Sequence, residues 1–357
     1  MIAAQVIRPS ECGKSRFQGS WTCSVLEREC TVDNFAGTSM GVYTGYGAQA
    51  VAAVVHHEEL LGRPMAVGTD YLPHGGWTDF DPATMCAWQL RPWRKWREER
   101  PGSSFVFGVP LLVDGCEGQF AQGAAGAFDA AYARAASALV DAGHGDAIIR
   151  LGWEPNNRAI GPWQATDDPS GYAALFRRAV AVFRATPGAC FTFELSSSLG
   201  VQPERRLRTF ADYYPGDGYV DWLGMNAYDL KWGDLGASAA DRWTWIRCQD
   251  MGLDAHVAFV RARGKRNVCA EWGLYRRGDP FAGAGDSAYY VDRMADYFAW
   301  GEVAYQSHFD HDWGGGSLAE FPAGRAAYVR RFRRRPSRDR TGAFSTAVRS
   351  SNGLAET

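Results

Sequence analysis

The chain has 357 residues, of which 46% are hydrophobic and 22% charged, and its formal net charge at pH 7 is -2. This composition is typical of a globular protein, and the length suits one α/β barrel of roughly 250 residues or somewhat more. The near-zero charge gives no reason to expect nucleic acid or an anionic membrane as a partner, and the sequence contains no run of about 18 apolar residues that could span a membrane.

Residues 1–39 precede the first predicted strand, and we expect an irregular extension packed on the main domain. Met1–Ser10 lacks the basic region and apolar run of a signal peptide, so either the protein stays inside the cell or the numbering omits a leader. Cys12, Cys23 and Cys30 lie close together in this segment and could form a disulfide outside the cell.

From about residue 40 the sequence alternates strand-like and helix-like segments with short connections, a pattern typical of a parallel α/β architecture. The predicted strands are Met40–Thr44, Met65–Thr69, Ser104–Val109, Ala147–Gly152, Cys190–Leu195, Val220–Asn226, Asn267–Glu271 and Val303–Phe309. Eight alternations that close on themselves predict a single (β/α)8 TIM barrel over residues 40–335. The Arg-rich end of the last helix then runs into residues 336–357, which we expect to be a flexible tail.

Helix starts support the alternation. Asp81 and Asp168 each stand before a proline, a capping residue followed by the residue favoured at the first helical position, and Asp286-Ser287 opens Ala288–Trp300 in a similar way. A doubly wound open sheet is the alternative fold. It is disfavoured because Gly41–Gly45, on the first strand, has the wrong spacing for a dinucleotide-binding turn.

Cysteine usage argues against structural zinc, because no CxxC or Cys/His ligand spacing occurs. Cys190 and Cys269 fall within apolar strand candidates, where we expect buried free thiols.

Two strand-length apolar runs each end in a glutamate beside a tryptophan, in Ile148–Asn157 and Asn267–Gly273. A carboxylate at the end of a buried strand is costly unless it is paired or used. Because a TIM barrel forms its active site at the carboxyl ends of its strands, Glu154 and Glu271 should point into the same mouth. Two carboxyl groups that face one cleft are the catalytic residues typical of a glycoside hydrolase.

These positions match a family pattern. The chain resembles retaining glycoside hydrolases of the large TIM-barrel clan with catalytic glutamates on strands four and seven, and within it the family 26 β-mannanase group. The residues that carry the resemblance are Arg150-Leu-Gly-Trp-Glu154-Pro-Asn156, Asp221-Trp-Leu-Gly-Met-Asn-Ala-Tyr228-Asp229, Glu271-Trp-Gly273 and Gly285-Asp286 with Met294-Ala-Asp-Tyr-Phe298. Trp153 and Pro155 depart from the family pattern. Mannanases of the family usually have histidine just before the acid/base glutamate, where this chain has Trp153, and Pro155 replaces the residue usual just after it.

The resemblance implies that Glu154 is the acid/base and Glu271 the nucleophile, and that Tyr228 is the strand-six tyrosine that holds the nucleophile. A retaining pair needs its carboxyl groups about 5 to 5.5 Å apart. From the residues alone, the apolar Trp153 should raise the pKa of Glu154 by desolvation, which suits a proton donor. Arg150 or Asn156 are further candidates to keep Glu271 ionised.

Six tryptophans fall at or just beyond the predicted strand ends, where they could hold the apolar face of a sugar ring. They are Trp77, Trp153, Trp163, Trp232, Trp272 and Trp313. Trp88, Trp93 and Trp96 lie instead on a predicted outer helix, and we expect them to pack against the barrel.

Histidine and aspartate residues at two strand ends suggest a competing hypothesis, a metal site. Those after strand eight are His308, Asp310, His311 and Asp312, and those after strand two are Asp70 and His74. Such clusters at barrel strand ends can build a metal-dependent hydrolase, but the paired histidines that such enzymes carry on the first strand are missing. We therefore expect His308 and Asp310 to hydrogen-bond substrate hydroxyls or the neighbours of the nucleophile. His56 and His57 lie in a predicted helix and should be surface or packing residues.

The sequence therefore predicts a retaining, endo-acting glycosidase that needs no cofactor or metal and binds a carbohydrate substrate as a monomer. Mannan, xylan, mixed-linkage glucan and a bacterial exopolysaccharide are the candidate substrates, and such a polymer implies an extracellular or periplasmic location. The alternatives are a metal-dependent barrel hydrolase and a non-catalytic glycan-binding barrel.

Overall fold

A computed structural model of the chain describes residues 37–199, 207–230, 238–277, 283–311 and 316–333. Parallel strands close a barrel in chain order from β1 to β8. The strands are β1 Ser39–Tyr43, β2 Val67–Tyr71, β3 Ser104–Val109, β4 Ile148–Leu151, β5 Thr192–Ser198, β6 Trp222–Asp229, β7 Arg266–Leu274 and β8 Val303–Phe309. The predicted (β/α)8 barrel is confirmed. The extension with Cys12, Cys23 and Cys30, and the tail from residue 334, lie outside the described residues.

Helices surround the barrel. They are α1 Gly47–Leu61, α2 Pro82–Met85, α3 Arg91–Glu98, α4 Phe120–Ala124, α5 Asp129–Asp141, α6 Pro169–Ala185, α7 Ala239–Cys248, α8 Leu253–Ala262, α9 Ala288–Trp300 and α10 Pro322–Phe332. Asp168 caps α6 by accepting from the Gly171 N–H (2.8 Å), and Ser287 accepts from the Tyr290 N–H at the start of α9 (3.2 Å). Within the described residues, no helix is both long and apolar enough to cross a membrane.

Apolar side chains pack in two layers. Alternate strand positions fill the interior of the barrel with a small cluster that includes Val67, Val106 and Tyr305, while the opposite positions meet the helices. At Gly68 a Cβ would lie only 2.5 Å from the Trp93 ring, so this glycine lets α3 approach the barrel closely. Burial on both faces is the expected pattern for parallel strands.

The fold tests two sequence-based expectations about side chains. Trp93 and Trp96 are buried against the barrel, as predicted, but Trp88 is 39% exposed. Cys269 is buried, whereas Cys190 is exposed, which corrects the expectation of a buried thiol. The reason is that β5 begins at Thr192 and leaves Cys190 in the preceding turn.

Strand β7 continues past Glu271 to Leu274, further than the sequence predicts. Its register with β6 shifts between the pairs Gly224–Val268 and Asn226–Glu271, so β7 carries an extra residue there. Such bulges re-aim side chains and are common beside active sites. Here the bulge places Glu271 next to Asn226 at the mouth.

Candidate active site

Glu271 lies at the mouth of the barrel and receives hydrogen bonds at both carboxylate oxygens. The Tyr71 hydroxyl (2.7 Å) and Arg150 Nη1 (2.5 Å) donate to Oε1. The Tyr228 hydroxyl donates to Oε2 (2.7 Å). Three donors from three different strands fix the orientation of this carboxylate and favour its ionised form.

Glu154 stands just beyond β4 in a left-handed backbone conformation, with φ of 52°. Its N–H donates to the Ser196 carbonyl (2.7 Å), which ties the turn to β5. The carboxyl oxygens accept from Asn226 Nδ2 (2.6 Å) and Asn157 Nδ2 (2.7 Å). A non-glycine residue in this conformation is strained, a feature that concentrates at functional sites.

Arg150 joins the two glutamates. Its Nη1 donates to Glu271 and to the Tyr71 hydroxyl, and its Nη2 donates to Asn226 Oδ1 (2.8 Å). Because the Asn226 amide also donates to Glu154, one amide and one guanidinium connect the carboxyl groups. The Arg150 side chain has no solvent exposure, so its charge acts in a site of low dielectric.

A third buried carboxyl group, that of Glu194, also contacts Arg150. Arg150 Nε is 3.4 Å from Glu194 Oε1, and it also donates to Ser196 Oγ (3.1 Å). Glu194 accepts from the hydroxyls of Ser196 and Tyr305. Burial raises the pKa of Glu194. Glu194 and Ser196 hold the Nε end of the guanidinium, while Nη1 contacts Glu271.

The two mouth carboxyl groups have opposite pKa shifts. Burial, and then the charge of Glu271, raise the pKa of Glu154 to about 7 despite the donors on its oxygens. Burial alone would raise the pKa of Glu271, but the Arg150 charge and the donated hydrogen bonds outweigh it and hold this pKa below its usual range. At neutral pH one carboxyl can therefore give up a proton while the other is ionised.

Several predicted site residues meet at this point. Glu154, Glu271, Arg150 and Tyr228 are in one network, and the Trp153 ring packs edge-on against Tyr71, with centroids 4.9 Å apart. Trp153 is mostly buried, with 9% of its surface exposed.

Trp163 packs against Trp153 and does not line the rim of the cleft. Its ring centroid is 4.5 Å from that of Trp153, and its Nε1 donates to the Trp153 carbonyl (2.7 Å). Its side chain is fully buried, so the expected sugar contact at Trp163 is wrong.

Trp272 and His308 lie on the opposite face of their strands from the cleft. Side chains alternate along a strand, and because Glu271 points to the mouth, Trp272 points to the helices and packs on Phe298 (5.3 Å between centroids). His308 lies 4.9 Å from the Trp272 ring, and burial lowers its pKa to about 4. Neither residue is placed to bind substrate, contrary to the prediction.

Asp310 also faces the helices. Its Oδ2 accepts from His57 Nε2 on α1 (2.6 Å), and its other oxygen accepts from the Leu318 N–H. The expected contact with substrate is therefore wrong, and Asp310 instead links α1 to Leu318.

Two further predicted residues, Asn156 and Trp77, make contacts with other parts of the fold. Asn156 Nδ2 donates to the Ser198 carbonyl (2.8 Å), and Asn156 Oδ1 accepts from the Ser198 N–H (2.9 Å). These two hydrogen bonds hold the turn after β4 to the end of β5. Trp77 stacks on Phe128 (4.4 Å between centroids), just before α5. Trp232 and Trp313 lie outside the described residues.

Of the residues proposed for a metal centre, those that the structure describes do not form one cluster, and Asp312 lies outside the described residues. Asp70 is a buried residue of β2 whose side chain faces the helices, where it accepts from the Gly47 N–H and Trp93 Nε1, both at 2.7 Å. His74 pairs with Asp114 (2.9 Å) near the surface. Among the described ranges, no group of three or more His, Cys, Asp or Glu side chains could hold a metal ion.

Sequence reasoning missed Tyr71, Asn226 and Asn157 as donors to the glutamates, and Glu194 and Tyr305 as supports of Arg150. One signal was available: Asn226 interrupts an apolar strand two residues before Tyr228, and alternate positions share a face. Tyr71 carried no such signal, because the predicted second strand stopped at Thr69.

No protein-family model matches the chain, and a search of curated proteins finds no match. Solved structures share the fold. A glycoside hydrolase family 26 β-mannanase from Bacteroides ovatus has a TM-score of 0.57 at 12% identity, over 82% of this chain and 88% of that chain. A modular endo-β-1,4-mannanase from Cellulomonas fimi has a TM-score of 0.58 at 16% identity, over 82% and 70%.

A third structure is the family 26 domain of an endo-β-mannanase/endo-β-glucanase from Prevotella bryantii, with a TM-score of 0.54 at 14% identity over 82% of this chain and 88% of that chain. At these identities the likeness is one of fold. The predicted resemblance to the family 26 group is confirmed at that level.

Proposed function

We propose that this protein is a retaining glycoside hydrolase that cleaves a β-linked polysaccharide or oligosaccharide by endo-action. The observation that carries the proposal is the pair Glu154 and Glu271 at one mouth, with the pKa of one raised and that of the other lowered. Double displacement at an anomeric carbon requires this division into a proton donor and an ionised nucleophile. The family 26 mannanases that share the fold add support.

In the first step a Glu271 oxygen attacks the anomeric carbon while the bond from that carbon to the glycosidic oxygen breaks. The proton of Glu154 goes to the departing oxygen, so the leaving sugar departs as an alcohol. The products are a glycosyl ester on Glu271 and a carboxylate at Glu154. Arg150, Tyr71 and Tyr228 hold the attacking carboxylate in position.

In the second step the Glu154 carboxylate takes a proton from a water molecule, whose oxygen attacks the same anomeric carbon. The ester bond breaks and Glu271 returns to its ionised form. Two inversions give net retention of configuration. Loss of the Glu271 charge in the ester lowers the pKa of Glu154, which suits its change from acid to base.

The substrate class we favour is mannan-type glycan or a bacterial exopolysaccharide. The neighbours with the same fold are described as mannanases. Trp153, where mannanases of the family usually have histidine, presents an apolar ring edge beside the nucleophile's donor Tyr71. This changes the surface offered to the reacting sugar, so the preferred glycan need not be mannan.

A panel of polysaccharides tests the proposal. Mannan, xylan, mixed-linkage glucan and bacterial exopolysaccharides would be incubated with the protein, with and without a chelator, and reducing ends and product anomers would be followed. Chelator-resistant release of the β-anomer is expected. Activity lost with chelator and restored by zinc would favour a metal-dependent hydrolase, and binding by calorimetry without turnover would favour a glycan-binding barrel.

A further inference from the structure

The backbone of Tyr71, whose hydroxyl donates to Glu271, is held by two buried side chains. Its N–H donates to Asp70 Oδ1 (2.7 Å), and its carbonyl oxygen accepts from Gln89 Nε2 (2.7 Å). Gln89 Nε2 also donates to Asp70 Oδ1 (3.1 Å), so the two side chains are joined to each other. Asp70 and Gln89 together, here called the Tyr71 clamp, therefore bond both backbone polar groups of this tyrosine.

The Tyr71 clamp lies beyond the end of one strand pairing. The pairing of β1 with β2 runs as far as Val42 with Gly68, three residues before Tyr71. On the other side, β3 pairs with β2 as far as Gly108 with Tyr71. Buried backbone N–H and C=O groups need hydrogen-bond partners, and the clamp supplies them beyond the end of the β1 pairing.

Both clamp residues are anchored to the outer helices and have no solvent exposure. Asp70 Oδ2 accepts from the Gly47 N–H at the start of α1 and from Trp93 Nε1 in α3, both at 2.7 Å. Gln89 lies in the π-helical turn Cys86–Leu90, which runs into α3. Burial raises the pKa of Asp70 to about 7, and the N–H groups that donate to its oxygens oppose this rise. The clamp thus ties Tyr71 to two helices.

The ring of Tyr71 is confined on its other side. A Cβ at Gly108 would lie 2.1 Å from Cδ1 of this ring, so glycine there lets the ring lie against β3. The Arg150 guanidinium lies 5.4 Å from the ring centroid. With its backbone bonded and its ring packed, Tyr71 directs its hydroxyl to Glu271 Oε1 (2.7 Å).

We propose that Asp70 and Gln89 are positioning residues for the nucleophile, which they orient through Tyr71. The inference rests on the proposed glycoside hydrolase function. The Tyr71 hydroxyl is one of the donors that lower the pKa of Glu271. Loss of the clamp should therefore make Glu271 harder to ionise and leave its attacking oxygen less well oriented.

Gln89→Met tests the clamp, because methionine has a similar volume but cannot donate to the Tyr71 carbonyl. The probe is the aryl β-glycoside with a good leaving group that the unsubstituted protein cleaves fastest, since its first step needs little protonation. We expect kcat/KM to fall about tenfold, and the acidic limb of its pH profile to move to higher pH. The alkaline limb, which belongs to Glu154, should not move.

A double-mutant cycle shows whether the effect passes through the Tyr71 hydroxyl. Tyr71→Phe removes this hydroxyl, so Gln89→Met should lower kcat/KM of the Tyr71→Phe protein by less than about twofold further. Asp70→Ala should behave as Gln89→Met does in both backgrounds. If Asp70→Ala does not fold, the Gln89→Met cycle still decides. A general structural effect would instead give the same fold-loss with and without the hydroxyl.

Gln306→Met is the matched control, because Gln306 is also a fully buried glutamine, and its Oε1 accepts from the helix-facing Trp272. It should keep kcat/KM within about twofold and leave both pH limbs in place. Additive losses in the cycle, or an unmoved acidic limb in Gln89→Met, would overturn the role given to the clamp. If the unsubstituted protein cleaved no glycoside, the proposed function would be overturned, and this inference with it.

Discussion

Arg150 and Glu271 form an ion pair inside the barrel, with 2.5 Å between Nη1 and Oε1, and Glu194 lies at 3.4 Å from Nε of the same guanidinium. One cation thus serves two buried carboxyl groups. The arrangement keeps the nucleophile ionised although Glu271 is only 7% exposed to solvent, and it makes the site dependent on Arg150, whose side chain has no solvent exposure.

Replacing this cation should damage both activity and stability. In Arg150→Met, Glu271 loses its compensating charge, so turnover should fall at least about a hundredfold, and urea unfolding should show a loss of about 3–5 kcal/mol. Arg94→Met is the control, since Arg94 pairs with Glu98 at the surface (2.9 Å) and should change stability by less than about 1 kcal/mol. Similar effects of the two substitutions would contradict the role given to Arg150.

The pH dependence of kcat/KM should follow the two glutamates. Glu154 must be protonated to act as the donor, so activity should fall as the pH rises through about 7. Glu271 must be ionised, and because its pKa is lowered, the acidic fall should lie below the ordinary carboxyl range.

Removing the charge at Glu271 provides a separate check by NMR titration. In Glu271→Gln the pKa of Glu154 should decrease, because a like charge is lost, yet stay above its ordinary value because burial persists. An unchanged or increased pKa would mean that the two carboxyl groups do not interact.

Because Glu154 has a positive φ, we expect glycine to be more favourable than alanine at this position. Glycine adopts positive φ without penalty, whereas alanine does not, so Glu154→Gly should be more stable than Glu154→Ala by about 1 kcal/mol. Both variants remove the carboxyl group, so thermal denaturation of the pair isolates the backbone contribution. Equal stability would show that the turn relaxes once the side chain is gone.

The barrel and the two glutamates could be predicted from the sequence because both depend on local patterns. Alternating strand-like and helix-like segments predict the fold, and a carboxylate at the end of an apolar run stands out without knowledge of the tertiary structure. Arg150 lies on β4 shortly before Glu154, and Tyr228 lies near the end of β6, the strand beside β7.

The direction of single side chains could not be predicted where a strand end was misplaced. The seventh strand was expected to stop at Glu271, which left Trp272 in a rim loop, but the strand continues and turns that ring towards the helices. The second strand extends two residues beyond its expected end, which brings Tyr71 to Glu271. A shift of one residue changes the face, and sequence patterns do not resolve boundaries that finely.

Azide rescue with an activated aryl β-glycoside is the most direct test of the central claim, that Glu154 is the acid/base and Glu271 the nucleophile of a retaining pair. Glu154→Ala should still form the glycosyl ester from a substrate with a good leaving group, and azide should speed its release as a β-glycosyl azide, because this anion needs no general base. Glu271→Ala should form no glycosyl-enzyme ester, because the attacking carboxylate is gone, and so should show no turnover by double displacement. Rescue of Glu271→Ala but not of Glu154→Ala, or an α-configured azide product from Glu154→Ala, would contradict the assignment.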